Sequence, residues 1–204
     1  MFTQKWRIVI ARATARSNPL FYLFLFATLI LLFNACSKTN STDAWREANT
    51  NAYDAVVKNS DYRELKTESG PSGVYYKIIN SGTGTEYPLQ TGKVKILYKG
   101  SYYDGTIFDV GSSQNDVSME FSLTPPSSYA YSPYTPANIS RGLSFALQNM
   151  VVGDKWEVWI PYYLGYGAVG LVITNPYTYA YQTVVQAYSA LVYEVELVGI
   201  TQYP

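Results

Sequence analysis

The sequence predicts an α+β fold: an antiparallel curved β-sheet, a half-barrel, wrapped around one short helix, with an N-terminal helical extension. Three observations point there. Apolar and polar residues alternate in short segments from Val74 onward, the period of half-buried strands. Helical spacing occurs at residues 43–62 and 141–150, so strands outnumber helices and the short helix is left to fill the concave side. Turn residues such as Asp104-Gly105 separate the strands.

The chain opens with Lys5, Arg7, Arg12 and Arg16 and no acid, continues with the apolar run Leu20 to Phe33, and reaches Asn34-Ala35-Cys36. A charged start, an apolar core and a small residue before the processing point is the layout of a secretory signal. The run of 14 residues is short of the ~20 needed to span a bilayer, so an uncleaved membrane anchor is the lesser reading. Residues 1–35 are therefore expected to be a lipoprotein signal peptide, with Cys36 the residue that is cleaved before and acylated. Phe33 and Asn34 match the usual lipobox only loosely. Ser37 after the cysteine resembles outer-membrane sorting.

Residues 36–42 then form the acylated cysteine and a polar spacer. Trp45, Ala48, Ala52, Tyr53, Val56 and Val57 recur three and four apart, which predicts a helix over 43–62 with Thr42 or Asp43 at its start. Its apolar face either packs on the domain or pairs two copies of the chain. Residues 43–70 are read as this helix and a linker ending in Gly70-Pro71-Ser72-Gly73, and 71–204 as one domain.

Within that domain, Val74 to Ile79 alternates as a strand and Ser81-Gly82-Thr83-Gly84 reads as a hairpin turn. Val94, Ile96 and Tyr98 face inward, against Lys93, Lys95, Leu97 and Lys99. Val117 to Leu123 and Lys155 to Ile160 are further strands. In Arg141 to Met150 the residues Leu143, Ala146, Leu147 and Met150 share the buried face of a helix. Ala190 to Ile200 alternates Leu191, Tyr193, Val195 and Leu197 with Val192, Glu194 and Glu196 and completes the sheet. Two segments, 127–138 and 171–188, are rich in Tyr, Pro, Ser and Thr and read as loop insertions. Their rings cover area at low entropic cost, either on a partner or on their own domain's edges.

Composition removes whole classes of function. The 204 residues contain no histidine and one cysteine. Ser-His and Cys-His nucleophilic catalysis, an internal disulfide and zinc sites built on His or Cys are excluded. No cofactor and no metal is implied. Without the four basic residues before Cys36, 11 Lys and Arg face 15 Asp and Glu, so nucleic acid is not expected as a partner, since phosphate binding needs clustered positive charge.

The blocks KVKILYKGSYYDGTIFDVG and ISRGLSFALQNMVVGDKWEVWIPYYLGYG place an inward tyrosine, a hairpin, the pair Phe108-Asp109, a short helix, a strand and Gly-Tyr-Gly in one order. Over roughly residues 71 to 200 that order resembles the FKBP-type peptidyl-prolyl cis-trans isomerases, in a bacterial lipoprotein form. The resemblance implies a pocket in which Tyr98 forms the wall, Phe108 packs on the proline ring, Asp109 pairs with the tyrosine or orients the substrate, and the Tyr166 hydroxyl donates to the substrate carbonyl. These four are the implied catalytic residues.

It further implies substrate-binding positions at Met119, Phe121, Ile139, Ser140, Leu143, Val185 and Tyr193. Met119 stands where a second aromatic is more usual, Ser140 replaces a branched aliphatic, Leu143 stands where many relatives place a tryptophan floor, and Tyr193 replaces a phenylalanine. The loss of the floor enlarges the cavity. Val184 and Val185 stand in for the compact Ile-Pro turn of the family.

The activity so implied is isomerisation of X-Pro bonds in exported or envelope proteins, with proline-containing polypeptide segments as partners. The membrane would be reached through a lipid anchor at Cys36, and a homodimer through the 43–62 helix is the further assembly to test. Two rivals use the same residues: a non-catalytic peptide-binding chaperone, and a surface lipoprotein whose exposed tyrosines stack on sugar rings.

Overall fold

The computed structural model describes residues 41–68, 70–111, 119–123, 139–174 and 181–201. The expected signal peptide, Cys36, the spacer up to residue 40 and the insertion 127–138 lie outside them. Helix α1 (Ser41–Val57) is followed by β1 (Arg63–Thr67), β2 (Gly70–Asn80), β3 (Lys93–Tyr102), β4 (Ile107–Val110) and β5 (Met119–Ser122). Then come helix α2 (Arg141–Leu147), β6 (Lys155–Ile160), a 3₁₀ turn (Tyr162–Leu164), β7 (Leu171–Thr174), β8 (Tyr181–Val185) and β9 (Leu191–Thr201).

Among the described residues, one sheet runs β1-β2-β6-β9-β3-β4, with β5 also on β3. Every pairing in it is antiparallel. Strand β3 carries the architecture, because it lies along β9 on one edge and shares the other between β4 and β5. Val94, Ile96, Tyr98, Gly100 and Tyr102 alternate toward the core, as the period-two pattern requires. On β9, Leu191, Tyr193, Val195 and Leu197 do the same.

Helix α2 closes the concave side with Leu143, Ala146 and Leu147, all fully or nearly fully buried. Its close approach to β6 depends on Gly142, where a Cβ would sit 2.4 Å from Ile160 Cγ2. Asp154, buried at the turn before β6, accepts from the backbone N–H of Gly82 at 2.7 Å and of Val151 at 2.8 Å. The buried carboxylate is thereby satisfied and the β2–β3 connection is stapled to that turn.

Helix α1 docks through one face. Trp45 meets Tyr102 and Tyr103 with ring centroids 5.2 and 5.5 Å apart and donates its indole N–H to Ser189 Oγ at 3.2 Å. Buried Asn49 accepts from the Ala190 N–H at 2.8 Å.

Four expectations need correction. The segment 171–188, expected to be a loop, holds two strands: Leu171–Thr174 and Tyr181–Val185 pair antiparallel, while residues 175–180 lie outside the described ones. Its Val, Ile and Thr runs carry strand propensity that the tyrosine-rich composition masked. Residues 63–67, assigned to a linker, form the edge strand β1. The helix ends at Val57 rather than residue 62, where Asn59 N–H bonds back to Val56 O and the Asn59 side chain accepts from Asp61 N–H, a turn that competes with helix. Gly82 and Gly84 do not make a hairpin, since β2 pairs with β1 and β6 and not with β3.

Candidate active site

Strand β3 presents Tyr98 and Tyr102 on its inner face, and the hairpin that follows returns Phe108 and Asp109 alongside them. Asp104-Gly105 makes that turn as the sequence predicts: Gly105 N–H donates to Tyr102 O at 3.0 Å and Thr106 N–H to Asp104 Oδ1 at 2.9 Å. The Tyr98 hydroxyl donates to Asp109 Oδ2 at 2.7 Å. Tyr98 also meets Phe121 of β5 and Tyr193 of β9, with centroids 5.6 and 6.0 Å apart. Phe108 meets Tyr193 edge to face at 5.8 Å and Tyr102 at 5.2 Å. Separations and tilts of this kind are those the aromatic quadrupole favours.

Burial, then the neighbouring Asp109 carboxylate and the hydrogen bond to it, push the Tyr98 phenol far above its ordinary range. Tyr193 is only 2% exposed, and burial, followed by Tyr166 and Tyr98, raises its phenol strongly. Both therefore stay protonated and serve as donors, not as bases. The Tyr193 side chain is hydrogen-bonded with that of Tyr166.

Tyr166 follows the 3₁₀ turn and lines a cavity of about 480 Å³ together with Arg141, Tyr163, Val169 and Val172. The expected pocket residues thus fall into two joined groups. Tyr98, Phe108, Phe121 and Tyr193 form a packed ring cluster, and Tyr166 connects that cluster to the cavity. Leu143 and Val185 are 1% exposed and belong to the surrounding core, and Ile139 is buried beside them. Met119 lies opposite Ile96 on β3, and its side chain lies outside the description. Ser140 is fully buried and caps α2, its Oγ accepting from Leu143 N–H at 3.3 Å. The substituted hydroxyl is thus used as a helix N-cap.

Tyr102 escaped the sequence reading. Its ring packs on Phe108, while its hydroxyl donates to Val184 O at 3.4 Å and accepts from Gln186 N–H at 3.1 Å, tying the inserted hairpin to the ring cluster. The signal was present in the alternation 98, 100, 102. The cavity walls Tyr163, Val169 and Val172 left no such signal, because they come from a turn and a hairpin that low-charge composition presents as loop.

Fold and site together define an α+β domain with an aromatic-backed cleft. The family model for FKBP-type peptidyl-prolyl cis-trans isomerases matches residues 84–198, more than half of the chain. The chain belongs to that family. It is 33% identical over 132 residues to the FKBP-type 22 kDa peptidyl-prolyl cis-trans isomerase of Escherichia coli, covering 65% of this chain and 52% of that protein. It is 36% identical over 97 residues to the outer membrane protein MIP of Legionella longbeachae, covering 48% and 35%. The solved structure of a peptidyl-prolyl cis-trans isomerase from Pseudomonas syringae pv. tomato aligns with a TM-score of 0.58 at 25% identity, over 81% of this chain and all of that one. The chain spans about half the length, or less, of the curated relatives it matches.

Proposed function

We propose that the protein is a peptidyl-prolyl cis-trans isomerase for X-Pro bonds of exported or envelope polypeptides. The observation that carries this reading is one connected unit: Asp109 holds Tyr98, the rings of Phe121 and Tyr193 pack against Tyr98, Phe108 packs on Tyr193, and Tyr166 extends the unit into a cavity.

Rotation about an X-Pro bond faces a barrier near ~20 kcal/mol because the amide must give up its C–N double-bond character. The twisted amide is less dipolar than the planar one, so an apolar cleft stabilises it relative to the ground state. A gain of roughly 10⁴ to 10⁶ in rate requires about 5.5 to 8 kcal/mol of such differential stabilisation. In this reading Phe108 packs on the proline ring and Tyr98, fixed by Asp109, keeps the wall rigid. The Tyr166 hydroxyl donates to the substrate carbonyl, and the backbone near Ile139 and Ser140 holds the chain in its turned form. Nothing in this chemistry needs histidine or a thiolate.

The outer membrane name of the Legionella relative, with the signal-like N-terminus and Cys36, supports a location in the cell envelope on a lipid anchor, facing the periplasm or surface. The Trp45 face of α1 is taken up within its own chain, which leaves the opposite face for any pairing between two copies.

The test is a protease-coupled X-Pro peptide assay on the chain from Ser37. Wild type should exceed the spontaneous rate, and Phe108→Ala should lose at least about tenfold in kcat/KM, which is ~1.4 kcal/mol of transition-state stabilisation. No rate above background, with Phe108→Ala and Asp109→Asn both silent, would refute the isomerase. A holding function would then stand in its place, favoured by the exposed apolar rim of the cavity at Tyr163 and Val169 (58 and 79% exposed).

A further inference from the structure

A second cleft lies against helix α1. It encloses about 250 Å³, with Thr50, Tyr53 and Asp54 from the helix on one side and Tyr162, Tyr163 and Tyr188 on the other. Three facts set it apart from an ordinary surface crease.

First, Tyr163 lines this cleft and the Tyr166 cavity alike, so the two are neighbours across one exposed ring. Second, they share a hydrogen-bonded backbone: Tyr188 N–H donates to Gly167 O at 2.9 Å, and Gly167 N–H donates to Tyr162 O at 2.8 Å. The turn that presents Tyr166 and the wall of the second cleft are therefore one piece. Third, Tyr188 is held at φ 59°, a left-handed conformation that costs a non-glycine residue free energy and persists only where its surroundings enforce it. Its ring is clamped by Tyr162, with centroids 5.4 Å apart, and by the Arg46 guanidinium at 4.7 Å, so the strain is spent on placing an aromatic wall.

Aromatic-lined grooves bind extended proline-containing segments, because a polyproline helix is already ordered and its rings stack on tyrosine at small entropic cost. One charge completes the match: Asp54 is exposed at the cleft and has no ion-pair partner among the described residues. We propose that this cleft is a docking subsite for the same client chain whose prolyl bond lies at Tyr166, taking an extended stretch with a further proline and a basic residue. It rests on the isomerase reading for the client's first site, but its binding function is separable. Substrate preference would then be set by sequence several residues away from the isomerised bond, with α1 as part of the recognition surface.

Two prolyl peptides test it on the full chain: a tetrapeptide that reaches only the Tyr166 cavity, and a twelve-residue peptide carrying an additional Pro-Lys stretch. Isomerisation and fluorescence anisotropy are read for both. Wild type should favour the long peptide by about tenfold in kcat/KM and in affinity. Asp54→Asn and the groove-filling Thr50→Trp should abolish that preference while leaving the tetrapeptide rate unchanged. A long peptide with Glu in place of Lys should lose the preference on wild type. Equal handling of short and long peptides by wild type, or a preference untouched by both variants, would overturn the subsite while the isomerase reading stands. Absence of isomerisation, together with long-peptide binding lost in both variants, would instead retain the subsite and remove the isomerase.

Discussion

Tyr98 and Gly111 compete for the same space. The Gly111 N–H donates to Tyr98 O at 2.9 Å, and a Cβ at position 111 would lie 1.7 Å from Tyr98 Cε1. The ring reaches Asp109 only because the residue two positions beyond that carboxylate has no side chain. Gly111→Ala should therefore displace the Tyr98 ring, cost roughly 1–3 kcal/mol as an overpacking change, and lower isomerisation together with stability. Urea midpoints and the peptide assay measure the two effects, and an unchanged midpoint would contradict the geometry.

The Tyr98–Asp109 hydrogen bond invites a double-mutant cycle. Tyr98→Phe and Asp109→Asn each remove or weaken the same contact, and Asp109 is exposed, so each should cost about 1 kcal/mol. The double variant should cost clearly less than the sum of the two. Strict additivity would mean that the pair is not coupled.

The buried phenols give a signed pH dependence. Tyr98 and Tyr193 have folded-state values raised above the ordinary 10.0. Their contribution to stability is therefore complete below pH 10, and is lost as the pH climbs above that value toward the folded-state ones. Unfolding midpoints should be insensitive to these two groups near neutrality and should fall above about pH 10. Tyrosinate absorbance should show exposed rings ionising first and these two only with unfolding. Ionisation of all 21 tyrosines in a single step near pH 10, with structure intact, would contradict this assignment.

One buried amide contributes to the docking of α1 beside the Trp45 contacts. Asn49→Ala strips the Ala190 N–H of its acceptor, which should cost about 1–3 kcal/mol because a buried donor is left unpaired. Limited proteolysis near residues 58–62 should accelerate relative to cleavage in the sheet. Asn49→Asp, which retains an acceptor oxygen, should recover part of the loss.

Strands β3, β6 and β9 were readable because each buries alternate residues against water on the other side, so the core is written with period two. The insertion 171–188 was not, since a hairpin off the main sheet leaves Val172 and Tyr181 exposed and gives no clean alternation. Tyr98, Phe108, Asp109 and Tyr166 could be singled out from motif order. The role of Ser140 as a helix cap was legible in principle from its place just before Arg141-Gly142-Leu143. The sharing of Tyr163 between two cavities was not legible, because it depends on where a 3₁₀ turn sets a ring.

The Asn49–Ala190 and Trp45–Ser189 contacts join residues 141 and 144 positions apart. Loops of that length close late, after the local pairings around them. A chain made from its N-terminal side would thus carry helix α1 unseated until Ser189 and Ala190 had been released. A helix made early would be seated only by a turn made much later.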